Sequence, residues 1–288
     1  MRVATTPHDL GPADRAIAIG TFDGVHIGHR RVIEAAIAAG ERPTVVTFDP
    51  HPRSALGHRV DLISTLERRL ELLGDLGVEE TLVVPFTPDL ALLTPEEFAR
   101  SVLEPLGARV VLTGANFRFG RGRAGDVEAL RGLGFDARPV PLVDGVSSSR
   151  IRHFVAAGEV DLAAKLLGRP VELEGTVVAG DARGGTLGFP TANLAVPSEL
   201  LVPAFGIYAG EAMGQRAAMS IGVNPHYGGE ERRVEAFLLD YEGDLYGKRL
   251  IVQLWQRLRD ERAFESEQAL IDQIARDVEA TREAVRPV

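Results

Sequence analysis

Gly20-Thr21-Phe22-Asp23-Gly24-Val25-His26-Ile27-Gly28-His29 decides how the first half of the chain folds. Ahead of it lies a short apolar run, residues 16–20, and behind it an amphipathic segment, residues 30–39. A strand, a glycine-rich turn and then a helix is the opening move of an open α/β sheet, where ligands bind beyond the carboxyl ends of the strands. Three glycines let the backbone turn sharply and come close to a ligand. Free amides at the start of the helix, together with its dipole, favour an anion. His26 and His29, three residues apart, can both reach a phosphate placed there. Two solvated imidazoles would be the ordinary reading of such a pair in isolation. Inside a glycine-rich strand-to-helix turn the pair argues instead for a phosphate site.

Outward from this stretch the same alternation continues. Residues 44–48, 81–84, 110–113 and 137–141 are brief apolar runs that read as buried strands. Residues 66–76, 95–106 and 126–133 read as helices between them. The second of these opens with Thr94-Pro95-Glu96-Glu97, a capping box with proline in the first turn. Strand–helix alternation predicts a parallel sheet covered on both faces. The second half differs. After a helical stretch at 161–167, residues 171–178, 206–213, 216–221, 234–239 and 248–258 alternate as antiparallel strands do, predicting a small barrel or sandwich. A last helix carries Leu270, Ile274 and Val278 on one face. The expected class is therefore α/β plus β, two domains with a boundary near residues 157–169.

Composition narrows the function. The 288 residues suffice for two cores. A net charge of −9 disfavours general nucleic-acid binding. No apolar stretch approaches the ~18 residues of a membrane span, and residues 1–10 hold no apolar signal core, so the expected location is cytoplasmic. The absence of cysteine excludes disulfides, thiolate metal sites and Cys nucleophiles. Only Lys165 and Lys248 are lysines, which leaves phosphate recognition to Arg, His, hydroxyls, backbone amides or a metal ion.

A second glycine-dense loop, Gly180-Asp181-Ala182-Arg183-Gly184-Gly185-Thr186-Leu187-Gly188, leads into Phe189-Pro190-Thr191-Ala192-Asn193 and could cradle phosphates. It is no Walker A loop; Gly243-Asp244-Leu245-Tyr246-Gly247-Lys248-Arg249 comes nearest but is one residue short and lacks the final hydroxyl. Gly120-Arg121-Gly122-Arg123-Ala124-Gly125 is a literal GxGxxG, yet it does not follow the first strand as a dinucleotide fold requires. Phe117 and Phe119 beside it could stack bases, a reading that the acidic balance disfavours. On the strand at 234–239, Glu235 shares a face with Arg233 and Phe237, while Val234, Ala236 and Leu238 point to the core.

His26-Ile27-Gly28-His29 matches the HxGH signature of the nucleotidylyltransferase superfamily, and the longer GxFDGxHxGH form resembles the FMN adenylyltransferase module of bacterial bifunctional riboflavin kinase/FAD synthetases. Thr47-Phe48-Asp49-Pro50-His51-Pro52, Gly114-Ala115-Asn116-Phe117-Arg118-Phe119-Gly120 and Val146-Ser147-Ser148-Ser149-Arg150-Ile151-Arg152 are similar to that family's TFxPHP, G-x-[DN]-F-x-[FY]-G and ISSTxxR segments, with Ser149 in place of Thr. Pro190-Thr191-Ala192-Asn193 resembles the PTAN motif of riboflavin kinases, and residues 232–240 look like the strand carrying their catalytic glutamate. Asp244-Leu245-Tyr246-Gly247, and Leu258-Arg259 leading to Phe264, also match.

The resemblance implies a Rossmann-like nucleotidylyltransferase domain at 1–157 and a small β-barrel riboflavin kinase domain at 168–288. It implies phosphorylation of riboflavin to FMN, then adenylylation of FMN to FAD with release of pyrophosphate. ATP would be the co-substrate of both steps, with Mg²⁺ as cofactor. His26, His29 and Arg152 would be catalytic in the adenylyl transfer, with Gly20, Phe22, Asp23, Gly28, Asn116, Ser148 and Ser149 binding ATP. In the kinase, Glu235 would be the general base. Gly180, Arg183, Gly188, Thr191 and Asn193 would bind ATP, Thr191 and Asn193 would also hold the metal, and Arg259 would lie near the flavin. Ala182 and Gly185 stand where Gly and Arg are frequent, and Asn224-Pro225-His226-Tyr227 where Asn-Pro-Thr-Phe is usual. Partners would be these small molecules, without nucleic acid or membrane; homo-oligomerisation stays open. So do two rivals: a related transferase acting on another phosphorylated acceptor, and a flavin-sensing module without turnover.

Overall fold

The computed structural model of the chain describes residues 1–179, 189–224 and 231–288. It divides into two compact units, Met1–Ser148 and Ser149–Val288.

The first unit is built on β1 (Arg2–Ala4), β2 (Arg15–Ile19), β3 (Arg42–Asp49), β4 (Glu80–Pro85), β5 (Ala108–Gly114) and β6 (Asp136–Val140). They form one six-stranded parallel sheet in the order β1-β4-β3-β2-β5-β6. Helices α1 (Ile27–Ile37), α2 (Pro52–Ala55), α3 (Leu66–Asp75), α4 (Pro88–Leu92), α5 (Pro95–Phe98) and α6 (Val127–Gly132) connect the strands. Two apolar cores form in this unit, one around Ile17, Ile19, Leu82, Leu103 and Leu130, the other around Ala16, Ala18, Ile33, Val45 and Leu73. Successive residues of β2 contribute to different cores, as a strand buried on both faces must. The chain runs outward in both directions from β2, so the strand order reverses between β2 and β5. That crevice is the topological switch point, where ligands bind in open α/β sheets.

Helix α5 starts as its sequence predicts. The Thr94 hydroxyl accepts from the Glu97 N–H at 3.2 Å, and the Glu97 carboxylate accepts from the Thr94 N–H at 2.8 Å. That hydrogen bond and the Thr94 hydroxyl hold the Glu97 carboxyl below its usual range. The helix read over 95–106 is not uniformly α, since a π-helical turn at Ala99–Leu103 takes over from Phe98. Strand β1 and helix α4, three and five residues long, carry too little periodicity to be read from sequence.

The second unit opens with α7 (Ser148–Ala157) and α8 (Val160–Leu167). From Ser149 onward both are grouped with the following strands, ahead of the boundary expected near residues 157–169 from the change of pattern along the chain. The turn between these helices explains the grouping. A Cβ at Gly158, whose φ is +79°, would come within 2.8 Å of the Tyr208 hydroxyl and 3.0 Å of Arg257, so glycine permits a close seat on the strands. Strands β7 (Val171–Val178), β8 (Ala192–Ala195), β9 (Gly206–Ala212), β10 (Gln215–Asn224), β11 (Glu231–Leu238) and β12 (Arg249–Arg259) close into an antiparallel barrel, ordered β10-β11-β8-β7-β12-β9. Ala217, Met219 and Ile221 of β10 pair with Leu238, Ala236 and Val234 of β11, and all six are buried. Helix α9 (Glu267–Glu283) packs on the outside of β9 and β10. Among the described residues no helix is long and apolar enough to cross a membrane.

Candidate active sites

At the switch point β2 ends and the chain enters the Gly20–His29 turn. Phe22 and Val25, with φ of 49° and 39°, and Gly24, with φ of +75°, all take left-handed conformations. A β-branched residue there is costly and persists only where its surroundings over-determine it. Three contacts supply that constraint. Phe22 and Val25 are buried in the core. A Cβ at Gly24 would lie 2.6 Å from Ile63, so only glycine fits. Asp23, fully buried, accepts from the N–H groups of Ile63 at 2.9 Å and Ser64 at 3.1 Å, while the Ser64 hydroxyl accepts from Gly24 N–H at 3.0 Å. The glycine turn is thus stapled to the chain just before α3.

His26 caps α1, its Nδ1 accepting from the His29 N–H at 3.2 Å. That acceptor role places the ring proton on Nε2. The His26 and His29 rings stack with centroids 3.5 Å apart, and Phe22 meets His29 edge-on at 5.3 Å. The α1 N-terminus beside the stacked rings offers free amides and the positive end of the helix dipole, which suits an anionic ligand.

Further segments named from the sequence fall as follows. Thr47 donates to the Thr21 carbonyl at 3.0 Å, and His51 caps α2. Asn116 sits exposed on the loop leaving β5, the strand beside β2, and the Val146 side chain lies near Gly28. Ser148 then opens α7; Ser149 and Arg152 follow on that helix in the second unit, Ser149 exposed and Arg152 half-buried. Sequence reasoning passed over Arg69. It is 1% exposed on α3 and donates to the Thr47 hydroxyl and the Phe48 carbonyl, tying the Thr47–Pro52 run to the helix that Asp23 anchors. Burial lowers the Arg69 guanidinium below its ordinary value, against the pull of Asp23 and Asp49. The GxGxxG stretch follows β5, not β2, and Phe119 is buried in the core, which removes it as a base-stacking surface.

In the second unit the decisive geometry is a cross-strand row. Asn193 of β8 stands opposite Glu235 of β11, Glu235 opposite Ser220 of β10, Ser220 opposite Ile207 of β9, and Ile207 opposite Arg259 of β12. Glu235 and Phe237 face outward as their alternation predicts, while Val234, Ala236 and Leu238 are buried; Arg233 pairs with Glu235 at 3.8 Å. Over this row α9 leaves a cavity of about 320 Å³. Its floor includes Thr191, Ser220, Glu235 and Arg259, and its roof is Leu270, Ile274, Asp277 and Val278. The apolar stripe of the last helix therefore lines a cavity. Phe189 closes the Glu235 end, edge-on to Phe237 at 5.6 Å. A second cavity of about 490 Å³ shares Thr191 and is bounded by Val177, Ala236, Tyr241 and the Asp244–Tyr246 segment. Gly180, Arg183 and Gly188, with Ala182, Gly185 and the stretch containing His226, lie outside the described residues.

Sequence reasoning missed Asp277. Its carboxylate, 7% exposed, receives Arg259 Nε at 3.0 Å and Nη2 at 2.7 Å. Arg259 is thus both an ion-pair member and a cavity-lining residue. No sequence signal marks Asp277 among the acidic residues of α9.

Comparison with known proteins agrees with both halves. Residues 10–149 match the FAD synthetase family and residues 167–285 the riboflavin kinase family. A bifunctional riboflavin kinase/FMN adenylyltransferase of Pseudomonas fluorescens is 35% identical, covering 100% of this chain and 99% of its own. That of Listeria monocytogenes is 34% identical over 93% of this chain and 92% of its own. A solved Streptococcus pneumoniae structure, described as a macrolide-efflux protein, shares the fold at a TM-score of 0.89 and 32% identity, covering 98% of this chain and 99% of that one. The histidine turn at a switch point and the glutamate row on a closed barrel, matched along nearly the whole chain, make this protein a member of the bifunctional riboflavin kinase/FMN adenylyltransferase family.

Proposed function

We propose that the chain converts riboflavin to FMN and FMN to FAD, with ATP as co-substrate of both steps, the kinase at 168–288 and the adenylyltransferase at 1–157. The row Asn193–Glu235–Ser220–Ile207–Arg259 carries the kinase reading. At ~4.8 Å per strand, Glu235 and Arg259 stand roughly 14 Å apart along the curved sheet. That spans an elongated ligand with a reacting hydroxyl at one end and a flat ring system at the other. Riboflavin lies in the smaller cavity, its 5′-hydroxyl at Glu235, and the ATP phosphates approach from the larger cavity past Thr191. Glu235 takes the hydroxyl proton as the hydroxyl oxygen bonds to the γ-phosphorus and ADP leaves. Gly180, Arg183 and Gly188 belong to the nucleotide side of this reading.

Thr191 and Asn193 suit Mg²⁺. A hydroxyl and an amide oxygen next to the Glu235 carboxylate form an all-oxygen donor set, as a hard cation requires. Among the described residues no cluster of three or more His, Asp or Glu forms a full protein cage, and Mg²⁺ typically takes only one or two protein oxygens beside phosphates and water. When bound it neutralises charge on the transferring phosphates.

In the adenylyl transfer an FMN phosphate oxygen bonds to the α-phosphorus of ATP and pyrophosphate leaves. His26 donates its Nε2 proton to the phosphates, His29 adds a second donor, and the α1 N-terminus adds its dipole. Gly20, Phe22, Asp23 and Gly28 shape this seat, and Asn116 and Ser148 are further nucleotide-binding residues of the same unit; Ser149 and Arg152, on α7 of the second unit, keep the ATP-binding and catalytic roles that the family resemblance implies. The need for ATP at both steps supports a cytoplasmic location.

Riboflavin, ATP and Mg²⁺ supplied together, with flavins separated by chromatography, test the reading. Glu235→Gln should lower FMN formation by at least ~100-fold, the usual worth of a general base, while supplied FMN is still converted to FAD. His26→Ala/His29→Ala should stop the second step and spare the first. Loss of both activities in either folded variant would refute the division.

A further inference from the structure

We infer that Asp277 is a positioning residue of the kinase site: it fixes the Arg259 guanidinium against the cavity and thereby sets affinity for the flavin. This rests on the reading of the α9 cavity as the riboflavin site. The argument begins with the pair itself. Both Arg259 Nε and Nη2 point at the Asp277 carboxylate, with Nε 3.0 and 3.1 Å from its two oxygens and Nη2 at 2.7 Å. This fork-on-fork geometry fixes the plane of the guanidinium as well as its position. Nη1 is turned away to the Asp260 carbonyl at 2.9 Å, and the charged carbon lies 5.7 Å from the Phe264 ring.

Asp277 is itself held. Gln273, one turn earlier on α9, donates to its Oδ1 at 2.8 Å, and Thr281, one turn later, donates to its main-chain carbonyl at 2.7 Å. Both partners of the pair line the cavity. An exposed ion pair contributes little, because two long side chains must be ordered against water. With side chains 19% and 9% exposed, this pair is largely withdrawn from water. Its role is to make an arginine at the end of β12 rigid, where alone it would swing. A flat, delocalised cation pre-set in one plane loses less entropy on meeting a flat ring than a mobile one does.

The position predicts which kinetic parameter moves. Arg259 stands three strands from Glu235 in the row, too far to touch the reacting hydroxyl. Its contact with the ligand is the same before and during phosphoryl transfer, so disturbing it changes KM for riboflavin and leaves kcat nearly as it was.

Steady-state riboflavin kinase assays on the full chain test this, with conversion of supplied FMN to FAD measured on the same samples. Asp277→Asn should raise KM for riboflavin about 10-fold and change kcat less than about 3-fold. Arg259→Gln should do the same, and the double variant should match Arg259→Gln alone, because Asp277 acts only through Arg259. If Asp277→Asn does not fold, Asp277→Glu, which keeps the charge but displaces it by one methylene, should raise KM by a smaller factor. A wild-type KM in Arg259→Gln would overturn the riboflavin reading of the cavity and this inference with it. A raised KM in Arg259→Gln with a wild-type KM in the Asp277 variants would overturn the inference alone. Additive effects in the double variant, or a lowered kcat at unchanged KM, would also overturn it.

Discussion

Asp23 shows how a residue can belong to a phosphate-binding motif without pointing at phosphate. Its carboxylate takes the amides of Ile63 and Ser64, and it is fully buried. What it supplies to the site is shape, since it keeps the left-handed turn at Phe22 and Val25 in place beneath His26. Asp23→Ala orphans the buried Ser64 amide and the half-buried Ile63 amide, and removes a carboxylate from beside Arg69. Hydrogen bonds to a charged acceptor contribute ~1.5–3 kcal/mol each, so a loss of about 2–3 kcal/mol is expected after relaxation. Chemical denaturation should show that loss, and FMN-to-FAD conversion should fall with it while FMN formation from riboflavin persists. A stable Asp23→Ala protein with undiminished adenylyl transfer would mean that the staple is idle. Glu235 makes the opposite case, because strand alternation alone already turns it away from the core and toward a ligand.

Elements differ in how much of themselves the sequence discloses. The capping box of α5 is legible because all its parts lie within four residues. Its carboxyl, Glu97, is held below the usual range chiefly by the Thr94 N–H. A lowered folded value means that the stabilisation is present above the ordinary carboxylate pKa and is lost as pH falls through the lowered one. Thr94→Ala removes the hydroxyl partner and loosens the first turn, so Glu97 should titrate closer to its ordinary value in an NMR pH series. An unmoved titration would show that the box is unimportant. Strand β8 is the contrasting case. Its four residues follow directly on Pro190-Thr191, too short for alternation to register, and yet it sets Asn193 beside Glu235. Which residue faces which across a sheet is a long-range fact, fixed only when the barrel closes. Glu235, Asn193 and Arg259 could each be named from the chain, but the row they share could not. Asp277 was illegible for the same reason: its partner is 18 positions away on another element.

At the scale of the whole molecule, the apolar cores of the two units are separate, and in the first unit a buried ionic cluster closes the end of the sheet away from the histidines. Arg15, 0% exposed at the start of β2, donates Nε to Glu80 at 2.7 Å and its terminal nitrogens to the carbonyls of Leu10, Gly11 and Leu106. Glu80 opens β4 and also meets Arg42 at 3.4 Å, so one carboxylate joins β2, β3 and β4. Removing one partner of a buried pair costs about 3–5 kcal/mol, because the remaining charge is left without its counter-ion in a poorly solvated place. Glu80→Ala should therefore weaken the first unit selectively. Heated samples, cooled and assayed separately for each step, should lose FMN-to-FAD conversion at a temperature several degrees below the parent's. FMN formation should decay where the parent's does, since every residue of the cavity row lies in the second unit. If both activities fell together at the lower temperature, the units would be unfolding as one, and the separate cores would not confer separate stability. If neither moved, Arg15 would be finding solvent or another acceptor when Glu80 is gone, and the cluster would contribute far less than its burial implies.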